Sequence, residues 1–142
     1  MTNNPQTKLL NNWISITNIQ LSIANELESA LQKNYDLSLK EFYVLYFLSQ
    51  SSEKKLRLQQ LQEMVGLSQS AISRLVARLE EKSCGVLQRH ICEDDRRGIY
   101  TSLTAKGSEK LDRCLDTVYT ILQSTFSKEN IRHELKSLLH KL

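Results

Sequence analysis

Between Ser68 and Arg78 the chain presents amide, hydroxyl and guanidinium groups and no carboxylate: Gln69, Ser70, Ser73, Arg74 and Arg78. Such a set can recognise but has no nucleophile paired with a base. Short polar side chains and arginine match the donors and acceptors on base-pair edges in the major groove of duplex DNA, a groove wide enough to admit one α-helix. Arg74 and Arg78 are four residues apart and so share a helix face. The competing reading is a solvated face whose arginines pair with Glu80, Glu81 and neighbours. A second cationic pair, Arg96 and Arg97, follows Glu93-Asp94-Asp95, a composition that also suits an ordinary charged loop tip.

Other constellations lead to weaker chemistry. His90, His133 and His140 have no paired Ser, Cys or carboxylate pattern, no glycine-rich phosphate loop exists, and Asp94-Asp95 sits in a polar turn. No catalytic residue is assigned and an enzyme is not expected. Cys84, His90 and Cys92 lack a recognised zinc spacing, so neither a metal site nor a cofactor is expected.

The elements that must position Ser68 to Arg78 follow from periodicity. From about Lys8 to Leu31, apolar residues recur at helical steps without internal Gly or Pro, which predicts one long amphipathic helix. Ser38 and Glu41 form a capping box, with Leu37 placed to staple onto Phe42, so a second helix runs from Ser38 to about Ser49. Gln50 to Lys55 is polar and reads as a loop. Leu58 to Val65 is a short helix closed by Gly66, and Ser68 caps the next, whose apolar face is Ile72, Leu75, Val76 and Leu79. Two helices joined by Gly66-Leu67-Ser68 are a helix-turn-helix pattern. After Gly85 the period changes to two: Val86 to Ile91 and Ile99 to Leu103 predict a β-hairpin around the charged tip. Thr104 caps a long helix over Ala105 to Thr125, and Ser127 or Lys128 opens a last one.

The whole is 142 residues, 40% hydrophobic and 6% aromatic, with one proline and four glycines. That composition suits a single mostly α domain that needs no disulfide or metal staple. A formal net charge of +3 permits a nucleic-acid partner, and a two-fold dimer would double it. No apolar run approaches a membrane span and Met1 to Lys8 lacks a signal pattern, so a cytoplasmic protein with no membrane partner is expected. The three cysteines, Cys84, Cys92 and Cys114, are odd in number and widely spaced, as reduced thiols are.

Four stretches resemble the multiple-antibiotic-resistance regulator (MarR) family: Leu37-Ser38-Leu39-Lys40-Glu41-Phe42, Val65 to Leu75 across the turn, Asp95-Arg96-Arg97, and Leu103-Thr104-Ala105-Lys106-Gly107. Each alone is weak, but the four in this order are specific. The approach to the hairpin, Lys82 to Arg89, departs from the family pattern and leaves the hairpin register open. The resemblance implies a winged helix-turn-helix lobe over residues 37–103 and dimerisation helices over 8–35 and 105–142, in one domain over 1–142. It implies a homodimer on a pseudo-palindromic duplex DNA operator, acting as a repressor. Gln69, Ser70, Ser73, Arg74 and Arg78 would face the major groove, with Arg96 or Arg97 at the minor groove and Asp95 bracing the wing. Trp13, Leu27, Leu115, Val118, Ile131, Leu135, Leu138 and Leu142 are its dimerisation candidates, each of which could equally be intramolecular core. A small aromatic or phenolic effector would sit between the dimerisation helices and the DNA-binding lobes. The alternative is a winged-helix protein-interaction module without specific DNA binding. The family's oxidant sensors carry their cysteine near the start of the first helix, where Lys8 to Ile19 has none, so structural thiols are expected.

Overall fold

The computed structural model describes residues 4–81, 84–91 and 98–141, the side chain of 141 excepted. Helix α1 (Pro5–Tyr35) starts earlier than its apolar pattern, because Pro5 occupies the first turn and Asn4 Oδ1 accepts from the Gln6 N–H at 3.0 Å. It ends at Asp36, left-handed at φ 53°, which turns the chain into α2 (Leu39–Gln50). The capping box forms as the sequence predicts: the Glu41 N–H donates to Ser38 Oγ at 3.0 Å and the Ser38 N–H to Glu41 Oε1 at 2.7 Å.

Lys55, expected in a loop, begins a strand, β1 (Lys55–Arg57). Three residues are too short to show a period, and this strand exists because the hairpin offers it an edge. Helix α3 (Leu58–Val65) ends at Gly66, whose φ of 75° is the left-handed position a glycine fills without strain. Ser68 then caps α4 (Gln69–Glu80) by accepting from the Ala71 N–H at 3.2 Å.

Strands β2 (Leu87–Ile91) and β3 (Ile99–Leu103) pair antiparallel, Leu87 opposite Leu103 and Ile91 opposite Ile99, which settles the register of the described hairpin residues. With β1 on the outer side of β3, the predicted hairpin becomes a three-stranded sheet in the order β1-β3-β2. Thr104 caps α5 (Ala105–Ser127), and α6 (Glu129–Lys141) folds back against it. Asp95, Arg96, Arg97, Cys92 and Leu142 lie outside the described residues.

One core joins these elements: Leu31 of α1, Val44, Leu45 and Leu48 of α2, Leu61 of α3, Ile72, Val76 and Leu79 of α4, Val86, and Cys114 of α5 are all fully buried. Three of these side chains belong to the second helix of the helix-turn-helix, so α4 is seated by apolar packing. Among the described residues, no helix is long and apolar enough to cross a membrane.

Candidate nucleic-acid interface

Burying Ile72, Val76 and Leu79 inward forces the opposite stripe of α4 outward. Gln69, Ser70 and Arg74 are exposed and Ser73 is half-buried at the edge of the stripe. Ser70 Oγ lies 3.3 Å from Ser68 Oγ, so the capping hydroxyl and its neighbour share a hydrogen bond at the exposed N-terminus. Among the described residues Arg74 has no hydrogen-bond or ion-pair partner. The start of α4 therefore offers an amide, hydroxyls and a guanidinium on a surface bordered by the hairpin.

Arg78 is placed differently from its neighbour. Its Nε donates to Glu41 Oε2 at 2.6 Å and its Nη2 to Glu41 Oε1 at 2.7 Å, a two-point pair with α2. Nη2 also donates to the Asp36 carbonyl at 2.8 Å, and Nη1 stands 3.9 Å from Cys84 Sγ. The hydrogen bond to Glu41 raises the guanidinium pKa further, outweighing desolvation. By spacing alone Arg78 shares the groove-facing stripe with Arg74 or pairs with Glu80, Glu81 and neighbours. In the fold its partner is Glu41, from another helix, and Glu80 accepts from Arg89 Nε of β2. The capping pattern of Glu41 is visible in the sequence, but its second use, on a guanidinium 37 residues away, is not.

The sheet adds a basic face. Lys55 Nζ and Arg57 Cζ lie over the Tyr100 ring at 4.7 and 5.2 Å from its centroid, and Arg57 Nη2 donates to Tyr100 Oη at 3.1 Å. Cys114 is fully buried, and burial pushes its thiol up to about 11. Cys84 is half-buried, with a cation near it that its sequence neighbours do not reveal.

The dimerisation candidates divide. Leu27 and Val118 belong to the core of the chain itself, and Leu138 is buried on α6. Leu115, Ile131 and Leu135 are half-buried, while Trp13 is 64% exposed. With Trp13, Leu9, Leu10 and Ile14 form an exposed apolar band along the first half of α1, and Tyr119, Phe126 and Leu139 add to the exposed apolar surface on α5 and α6. Between α1, α2, α5 and α6 lies a groove of about 660 Å³ lined almost entirely by apolar and aromatic groups, among them Leu27, Tyr43, Phe47, Leu115, Tyr119 and Leu135. Burial in this wall raises the Tyr43 pKa.

A helix-turn-helix seated on a helical lobe and flanked by a small antiparallel sheet defines a winged helix-turn-helix protein. A model of the family described as transcriptional regulator SarA/Rot matches residues 26–114, and the chain belongs to that family of transcriptional regulators. An uncharacterized HTH-type transcriptional regulator of Bacillus cereus is 30% identical over 119 residues, 84% of this chain and 76% of the relative. AbsC, a MarR family transcriptional regulator from Streptomyces coelicolor, superposes with a TM-score of 0.76 at 24% identity, covering 98% of this chain and 91% of its own. A second MarR family regulator from that organism, solved in complex with DNA, gives 0.77 at 22% identity over 99% and 87% of the two chains. The architecture is thus the MarR winged-helix fold that the four motifs implied.

Proposed function

We propose that this regulator binds a pseudo-palindromic duplex operator as a homodimer and represses transcription from it. The observation that carries the reading is the exposed stripe Gln69, Ser70 and Arg74 on a helix whose opposite face is locked into the core. In a two-fold dimer the paired α4 helices would enter successive major grooves on one face of the duplex, about one helical turn apart. There Gln69, Ser70 and Ser73 read base edges and Arg74 a guanine edge or a phosphate, while Arg96 or Arg97 approaches the minor groove, Asp95 bracing the tip. None of these roles needs bond-making chemistry, so the protein acts by occupancy, in the cytoplasm, where its DNA is.

Dimerisation is supported by Trp13 and its exposed apolar neighbours on α1 and by the open side of α5 and α6, surfaces too apolar for a soluble monomer to leave bare. The aromatic groove between α1, α2, α5 and α6 suits a small aromatic or phenolic effector, which would bind between the dimerisation helices and the DNA-binding lobe.

The test is selection of bound fragments from the source genome, followed by titration of the selected duplex and of random duplex over a range of salt. Preference for the selected duplex, with affinity falling steeply as salt rises, is expected. Binding that ignores both sequence and salt would leave the protein-interaction reading in its place.

A further inference from the structure

The apolar seat of α4 locks one face inward, but apolar contacts carry little direction and leave a small residual rotation about the helix axis to be fixed. Directional contacts are needed for that. The Ser68 hydroxyl bonds within the start of α4 itself, to the Ala71 N–H and Ser70 Oγ, so these contacts come from the last turn, where Glu80 accepts from Arg89 Nε of β2 and Arg78 reaches Glu41 of α2 and the Asp36 carbonyl. The Arg78 fork is held by a carboxylate whose side chain is only 6% exposed, and that carboxylate also accepts the Ser38 N–H. One side chain, Glu41, therefore ties three parts together: the corner between α1 and α2, the last turn of α4, and, through the guanidinium beside Cys84, the approach to β2.

We infer that Glu41 is a positioning residue for DNA recognition, which acts through Arg78 to fix the rotation of the recognition helix and the setting of the wing relative to α2. This rests on the DNA-binding reading above and deepens it. Glu41 touches no DNA in that reading, being buried on α2. Its effect is geometric. A helix with side chains has a radius of about 5 to 6 Å, so a rotation of roughly 20° moves a side-chain tip by about 2 Å, more than a hydrogen bond to a base edge tolerates. Arg74 lies one turn from Arg78 on the same side of α4 and moves with it. A two-point carboxylate–guanidinium pair is the contact best suited to prevent this, since it constrains angle as well as distance. Phe42 and Tyr43, the next two residues of α2, wall the aromatic groove, so the same helix carries both the clamp and the groove.

The test compares the native chain with Glu41→Gln, Arg78→Gln, the double variant and Arg78→Lys, measuring affinity for selected and random duplex, salt slope and melting temperature. Glu41→Gln keeps the shape and removes the charge. It is expected to weaken binding to the selected duplex by about tenfold. Random-duplex affinity and salt slope should stay as they are, because no phosphate contact is lost. The double variant should be no weaker than the worse single one, since each residue acts through the other. Arg78→Lys, which keeps the positive charge but not the fork, should behave like Arg78→Gln. If Glu41→Gln melts below the assay temperature, Arg78→Lys carries the test alone. A folded Glu41→Gln that binds the selected duplex as tightly as the native chain overturns the inference. So does an Arg78→Lys variant with native affinity, or an Arg78→Gln variant whose salt slope drops by about one, which marks a direct phosphate contact. A native chain that fails to prefer its selected duplex overturns the DNA-binding reading, and this inference with it.

Discussion

Replacing Gly107 by alanine probes the seam between the wing and the long C-terminal helix. A Cβ at Gly107 would stand 2.1 Å from the Val86 carbonyl oxygen and 3.0 Å from its carbon, both backbone atoms, and 3.2 Å from Leu103 Cδ2. Ordinary contact begins near 3.5 Å, so α5 and the chain before β2 must part by more than about 1 Å. That carbonyl accepts from the Thr104 N–H at 3.0 Å, and Thr104 Oγ1 donates to the Gly85 carbonyl at 2.6 Å. Overpacking of this kind costs about 1 to 3 kcal/mol. Weakening those two hydrogen bonds adds about 1 kcal/mol each, and the better helix propensity of alanine returns up to about 1. The net is a destabilisation of about 3 kcal/mol, which lowers the melting temperature of a domain this size by roughly 10 °C. Circular dichroism melts at equal protein concentration measure it. Gly66→Ala is the control: nothing lies within 4 Å of a Cβ there, so only its φ of 75° opposes the change, costing about 1 to 2 kcal/mol. A Gly107→Ala protein that melts with or above the native chain would falsify the close approach.

Removing residues 127–142 should abolish dimerisation and operator binding together; a truncated protein that scatters light as a dimer and binds normally would refute the role given to α6. Arg74→Ala should weaken operator binding by ~1 to 3 kcal/mol and relax sequence preference, whereas Arg97→Ala should chiefly lower affinity and salt slope, and unchanged affinity in both would sink the docking. The buried Cys114 thiol, raised from 9.0 to about 11, stays protonated in the fold while the unfolded chain ionises. Its contribution to stability is therefore full below pH 9 and declines as the pH rises from 9 toward 11, and Cys114→Ala should flatten that decline in urea titrations. At neutral pH alkylation should spare Cys114 in the folded protein, and its modification at the rate of a free thiol would contradict the burial.

Elements with local signals were legible from the residues alone. Ser38 with Glu41, Gly66, Ser68 and Thr104 each mark a helix boundary through a hydrogen bond or a backbone angle that acts within four residues, and each boundary falls where the pattern places it. The start of α1 was not legible from apolar periodicity, because Asn4 and Pro5 extend the helix by capping before any apolar face begins. Strand β1 was illegible for a different reason: Lys55, Leu56 and Arg57 are extended only because Ser102, Thr101 and Tyr100 pair with them.

The candidate site shows the same division between local and non-local causes. That Gln69, Ser70 and Arg74 face outward follows from the helical period of Ile72, Val76 and Leu79, a local matter. The status of Arg78 does not follow, although it lies on the same stripe by spacing. Its guanidinium is drawn to Glu41 because a carboxylate buried at the start of α2 must be paired, and the only way to learn which cation pairs it is to know that α2 crosses the end of α4. Two arginines of one helix, identical in type and four residues apart, thereby divide their work: Arg74 stays open to a ligand while Arg78 orients the helix that carries it. Spacing alone ranks them as equals, and the difference arises from a contact made between helices 37 residues apart in the chain.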